Sequence, residues 1–216
     1  DKDGYALENC ISAMYGQEGF GIYKYGYIED IDNISIEDVS EYYKWLIENS
    51  KIDLFISGNI DEKELKKFLD NNENIKKLKP REENYVLDST ETKQKVENIK
   101  ELKEVIDVTQ GKLVIGLDIL RAIGNVYNSI LGNGANSMMF QNVREKAGLA
   151  YSAKSVFYKQ KKNIFIKCGI QIENYQKAVD LIKVQLENIK KGEFSEEDIN
   201  NSKKYLISGI KNAEEE

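Results

Sequence analysis

No histidine occurs anywhere in the sequence, which removes the commonest general base and the commonest zinc ligand together. A Ser-His-Asp or Cys-His nucleophilic site is therefore impossible within the chain. A zinc site would need cysteine and carboxylate alone, yet Cys10 and Cys168 lie far apart and no closely spaced pair exists. Two distant cysteines fit buried free thiols in a reducing compartment better than a disulfide. Gly132-x-Gly134 follows a helix-like segment and lacks a downstream GK[ST] or GxxG, so it reads as a helix–helix turn rather than a nucleotide loop. Gln110-Gly111-Lys112 precedes a strand and fails as a phosphate loop for the same reason. The carboxylates Glu8, Glu196-Glu197 and Glu214-Glu215-Glu216 read as solvated surface. The 13 tyrosines, concentrated in residues 5–43, read as amphipathic core and interface filler. Arg144 and Tyr151 remain, seven positions apart. By residue type alone they are a cation at a helix C-terminus and a strand aromatic.

Several elements must position these residues. Helical spacing of Tyr5, Leu7, Ile11 and Met14 predicts a helix over 4–15, and the Gly- and Tyr-rich stretch 16–28 an irregular connection. Three helix starts share one design, an acceptor side chain with an acid three residues on: Ser35 with Asp38, Asp61 with Glu64, and Ser195 with Asp198. The apolar run Ile52–Ile56, ended by Ser57-Gly58, predicts a buried strand. Further strands are expected around 102–108 and 111–119, after a polar surface connection over 71–95 that holds the only proline, Pro80. Helices are expected at about 121–131 and 136–146, the second capped by Asn136 or Ser137. A hairpin of 151–158 and 164–170 should follow, then a long amphipathic helix burying Tyr175, Ala178, Val179, Ile182, Leu186 and Ile189. This order predicts an α+β fold, an antiparallel sheet with helices packed on one face.

Composition sets the outer limits. Hydrophobic residues at 41% and charged residues at 31% describe an ordinary globular chain, not a disordered one. A net charge of −6 argues against nucleic acid as a partner, and the basic runs at 76–79 and 159–162 have no interleaved aromatics. No apolar run approaches the roughly 20 residues of a membrane span. Asp1-Lys2-Asp3-Gly4 shows no signal peptide, although without an initiator Met an upstream segment could have been lost. No membrane partner and a cytoplasmic location are expected.

The segment from Leu131 to Tyr151 reads LGNGANSMMFQNVREKAGLAY. Gly132-Asn133-Gly134 can end one helix, Met138, Met139 and Val143 can face a core, and Gly148 can break the next helix before a strand opens at Tyr151. This segment resembles the LGGGxxSxLFQxxREKxGLAY signature of the pitrilysin/insulinase-type zinc metallopeptidases, which include mitochondrial processing peptidases. Three other stretches agree in order and spacing. Phe20–Tyr27 resembles the connection after the metal-binding half, Ser35–Gly58 the entry to the second half, and Lys190–Ile199 a helix junction within it. The match is closest to bacterial paired or inactive members.

The resemblance implies a LuxS/mitochondrial processing peptidase-like metallohydrolase half, the C-terminal one that binds no metal. Residues 1–34 would be the closing helix and connection of the preceding metal-binding half. Residues 35–216 would be the C-terminal domain, cut short at its end, and the link between Ile119 and Ala122 looks trimmed. In such enzymes zinc sits on an inverted HxxEH helix of the other half. None of that machinery falls in this chain, so it should supply no catalytic metal ligand or general base. The resemblance further implies that Arg144 and Tyr151 reach across a chamber to peptide carbonyls, where a guanidinium and a phenol can donate to developing negative charge. The expected partners are the metal-binding half of the same protein or a paired homologous subunit, together with a peptide substrate. The rival expectation is a scaffold or interaction subunit that keeps the fold without proteolysis.

Overall fold

A computed structural model describes residues 1–16, 18–50, 52–76, 78, 99–119 and 124–215. The chain divides into two compact units, residues 1–24 with 91–216, and residues 25–90.

The larger unit is built on a sheet of order β1-β3-β2, formed by β1 (Gly111–Asp118), β2 (Ala150–Tyr158) and β3 (Asn163–Ile170). All pairing is antiparallel, with Ile115 opposite Ile166 on one side and Ser155 opposite Ile166 on the other. The expected hairpin is therefore present, as an alternating pattern demands when both strands bury one face. On that face Ile164, Ile166, Cys168 and Ile170 of β3 join Ala150 and Ala153 of β2. They pack against α6 (Gly124–Gly132), a π-helix (Met139–Lys146) and α7 (Tyr175–Lys190). Leu131, Met139, Val143, Ala178 and Ile182 complete this core with no exposed surface, apart from a trace in its rim residues Ile130 and Ile189. The unit is the expected α+β arrangement, with these helices on one face of an antiparallel sheet.

The opposite face is covered at one end by α1 (Lys2–Tyr15). Gly116 makes this possible, because a side chain there would meet Met14, Phe165 and Cys10. Phe165 is fully buried beneath α1 and meets the Tyr158 ring edge-on at 5.2 Å. Asn163 is equally buried. It accepts a hydrogen bond from the Tyr15 hydroxyl and donates one to the Asp118 carboxylate. Burial first, and the Asp118 charge second, push the Tyr15 hydroxyl up to about 12. The two cysteines occupy opposite faces: Cys10 lies over Gly116, and Cys168 lies in the main core. Both are free thiols, and burial alone pushes Cys168 up to about 12.

All three expected helix starts are found. Ser35 and Asp38 form a reciprocal capping box at α3 (Ile36–Asn49), and Ser195 and Asp198 form another at α8 (Glu196–Glu215). Asp61 accepts from the backbone of Lys63 and Glu64 at the start of α4 (Glu62–Asn71). The smaller unit holds α3 and α4 together with the short α2 (Ile28–Ile31) and α5 (Glu73–Lys76). Tyr42 and Trp45 stack on the exposed surface of α3 at 5.8 Å.

Two expected strands are not found among the described residues, where 52–57 and 101–106 take no regular structure and join no ladder. Apolar composition favours an extended chain, but a strand exists only where a neighbour satisfies its backbone groups. The second stretch is tied to the larger unit by side chains instead. The Tyr175 hydroxyl donates to Glu101 at 2.7 Å, and Tyr5 donates to Glu104 at 3.0 Å. The helix expected at 136–146 is a π-helix starting at Met139, without a side-chain cap from Asn136 or Ser137. The Ser137 hydroxyl instead donates to the Gly134 carbonyl at 2.7 Å, which closes the turn rather than the helix end. The link at 120–123, Pro80 and most of the 71–95 connection lie outside the described residues.

Candidate functional site

The segment 131–151 builds one continuous structure. Leu131 is fully buried at the end of α6, and Gly132 presses its backbone onto β2. A residue with a side chain at 132 would place its Cβ 2.5 Å from the Ser155 backbone nitrogen. Gly134 takes a φ of 122° in the following turn, a region that side chains disfavour. The π-helix then anchors itself through Met139 and Val143. Its wide turns are visible at the exit, where the Ala147 N–H donates to the Asn142 carbonyl at 3.2 Å and Leu149 donates to Val143 at 3.1 Å. Such π-turns are rare and frequently occur at functional sites.

Arg144 lies on the part-exposed side of this helix. Its guanidinium carbon stands 4.6 Å from the centre of the Phe140 ring, and its Nε is 3.6 Å from Glu145. The ring holds the planar cation from one face and leaves its donors available at the rim. Gly148, at φ 63°, turns the chain into β2, and its N–H donates to the Arg144 carbonyl at 3.1 Å.

Tyr151 sits at the one irregularity of the β2–β3 ladder. Ala150 pairs with Ile170 and Ser152 with Gly169, so Tyr151 is an extra residue displaced from the pairing. It is 80% exposed, whereas Ala150 and Ala153 on either side are buried. A bulge of this kind re-aims a side chain, and bulges concentrate near active sites. Among the described residues β2 and β1 are the outer strands of the sheet, each paired on one side with β3.

Among the described residues no group of three or more His, Cys, Asp or Glu could hold an ion, and the two thiols face opposite sides of the sheet. No helix among the described residues is long and apolar enough to cross a membrane.

A model of the peptidase M16 inactive domain matches residues 33–206. The chain belongs to the peptidase M16 inactive-domain family. The M16 domain is 32% identical to a protein described as a probable inactive metalloprotease, YmfF of Bacillus subtilis (strain 168), over 97% of the chain. It spans about half the length of that relative, 50%. A solved conserved protein from Enterococcus faecalis V583 matches all of the chain with a TM-score of 0.78 at 25% identity, over 52% of its own length. A solved M16 inactive domain from Pseudomonas fluorescens shares the fold, with a TM-score of 0.65 at 15% identity over 96% of this chain and 51% of its own. The matched residues of this M16 domain include the stretch that carries the π-helix and the bulge.

The sequence did not reveal two features of the site. One is a small polar pocket between the Gly132–Ser137 turn and α8, where Tyr205 donates to Asn133 at 3.2 Å. The Ser129 hydroxyl is buried beside it without a hydrogen-bond partner. The other is a row of lysines on the sheet face opposite the helical core, which only strand register brings together.

Proposed function

We propose that the chain is the non-catalytic half of a pitrilysin/insulinase-type zinc peptidase, closing a chamber over an extended peptide and contacting it through Arg144 and Tyr151. The observation that carries this reading is the bulge. It costs the sheet a regular pairing and sets Tyr151 outward on the strand that is outermost among the described residues. An extended peptide laid along the edge of such a strand can be held by backbone hydrogen bonds with little sequence preference. Tyr151 and Arg144 then add donors where carbonyl oxygens gain charge.

Zinc and its ligands would reside in the metal-binding half, supplied by the same protein or by a paired homologous subunit. Residues 1–34 would be the end of that half, and residues 35–216 the domain that follows. Two thiols that face opposite sides of the sheet support a reducing, cytoplasmic setting. A second reading, a scaffold subunit without proteolysis, is favoured by the description of the Bacillus subtilis relative as a probable inactive metalloprotease.

The test combines the chain with a metal-binding half that carries an intact HxxEH, and measures zinc-dependent cleavage of an unfolded peptide. Cleavage should depend on the combination. Tyr151→Phe and Arg144→Ala should each lower kcat/KM by about 100- to 1,000-fold, the range for losing one transition-state donor. Unchanged rates in both variants would remove their role. No cleavage with any metal-binding half would favour the scaffold.

A further inference from the structure

Register places three lysines on one patch of the sheet. Lys154 of β2 stands directly opposite Lys167 of β3, and Val114 flanks Lys167 on β1. One row away Ser152, Gly169 and Lys112 lie side by side. All of these residues lie on the face opposite the main core, beside the first turn of α1. Lys154 is exposed, while Lys112 and Lys167 are half-buried.

Among the described residues one acidic group forms an ion pair here. Asp3 of α1 lies 3.0 Å from the Lys112 ammonium, which also donates to Gln110 at 2.8 Å. Among the described residues no ion pair neutralises Lys154 or Lys167. Asp118, also on this face, is four residues along β1 from Val114 in their row, about 14 Å away at strand spacing. Like charges directly opposite in an antiparallel pair destabilise a sheet, their Cβ atoms being only about 5 Å apart. Burial, and then the Lys154 charge, hold the Lys167 ammonium below its ordinary value. A glutamine at either position would serve the fold better, so the pair asks for an anion.

We propose that Lys112, Lys154 and Lys167 form a subsite for the acidic side chains of an extended peptide, which rests on the peptide-holding role proposed above. Asp3 shows that a carboxylate on a chain segment docks onto this patch. Lysines are mobile point charges, whereas a compact phosphate is gripped by arginine forks or clustered backbone N–H groups. The nearby N-terminus of α1 is already occupied, since the Asp1 carboxylate accepts from the Asp3 N–H at 3.0 Å. Lys154 lies three residues along β2 from Tyr151, about 10 Å at strand spacing. A single peptide can therefore meet both. The chain as a whole carries −6, so a preference for acidic peptides has to arise from this local patch.

The test is fluorescence anisotropy of the 216-residue chain with three labelled extended peptides that differ only in bearing glutamate, glutamine or lysine. The glutamate peptide should bind about tenfold more tightly than the glutamine one, as charge-assisted hydrogen bonds warrant. That preference should vanish in a Lys154→Gln/Lys167→Gln variant and survive in a Lys203→Gln/Lys204→Gln control on α8. Inorganic phosphate should compete no better than chloride at equal ionic strength. Equal binding of glutamate and glutamine peptides, or a preference that survives in the 154/167 variant, would overturn the subsite and leave the peptide-holding role standing. Efficient displacement by phosphate would overturn it in favour of a small-anion site. No binding of any peptide would overturn both.

Discussion

Phe165→Ala is expected to destabilise the larger unit by about 3–5 kcal/mol, the range for deleting a buried phenylalanine side chain. The residue is fully buried at the centre of β3. It meets the Tyr158 ring at its edge, and it gathers with Met14 and Cys10 of α1 around the Gly116 backbone. Because Gly116 carries no side chain, α1 lies close to the sheet and Phe165 fills the space between them. Shortening it leaves a cavity that neither the central strand nor α1 can collapse around. For a chain of this size the loss corresponds to a fall in Tm of about 10 °C. Thermal unfolding measures the size of the effect. Amide exchange across α1 tests the cause, since residues 2–15 should lose protection first. A fall of under about 1 kcal/mol would mean that α1 does not rest on Phe165.

Gly132→Val is expected to cost about 3 kcal/mol or more through overpacking rather than through a cavity. Its Cβ would stand 2.5 Å from both the backbone nitrogen and the hydroxyl of Ser155, and 2.8 Å from the Ser155 Cβ. A flexible side chain could swing aside, but the backbone of β2 is locked by its ladder to β3. Ser155 also donates to the Asn128 side chain at 2.7 Å, so moving it breaks a buried hydrogen bond. Gly209→Ala is the control. Nothing lies within 4 Å of a side chain placed there, and within α8 the change should be neutral or stabilise by up to about 1 kcal/mol. Urea unfolding of the two variants side by side distinguishes a steric cause from a general intolerance of glycine replacement.

Local features of the fold were legible in the sequence, and features made by pairing were not. Ser35 with Asp38 and Ser195 with Asp198 announce helix starts because both partners sit within one turn. The hairpin was legible because alternate residues of 164–170 are apolar enough to mark one face. The run at 52–57 carried the same apolar signal without being a strand, since nothing within it specifies a partner. The bulge at Tyr151 is the clearest case at the site. One extra residue is invisible in β2 alone and appears only against the count on β3. The Lys154–Lys167 pair was hidden for the same reason, with thirteen positions between partners that the ladder sets face to face. The seat of Arg144 on Phe140, four residues earlier, follows from helical spacing that could have been read.

The most direct test of the account is to incubate the 216-residue chain with zinc and an unfolded peptide, following peptide mass and equilibrium binding in the same samples. A half without histidine, and without a metal-holding cluster among the described residues, should bind the peptide and leave it intact. Binding should weaken in Tyr151→Ala. Zinc-dependent cleavage by the chain alone, or no binding at all, would contradict it.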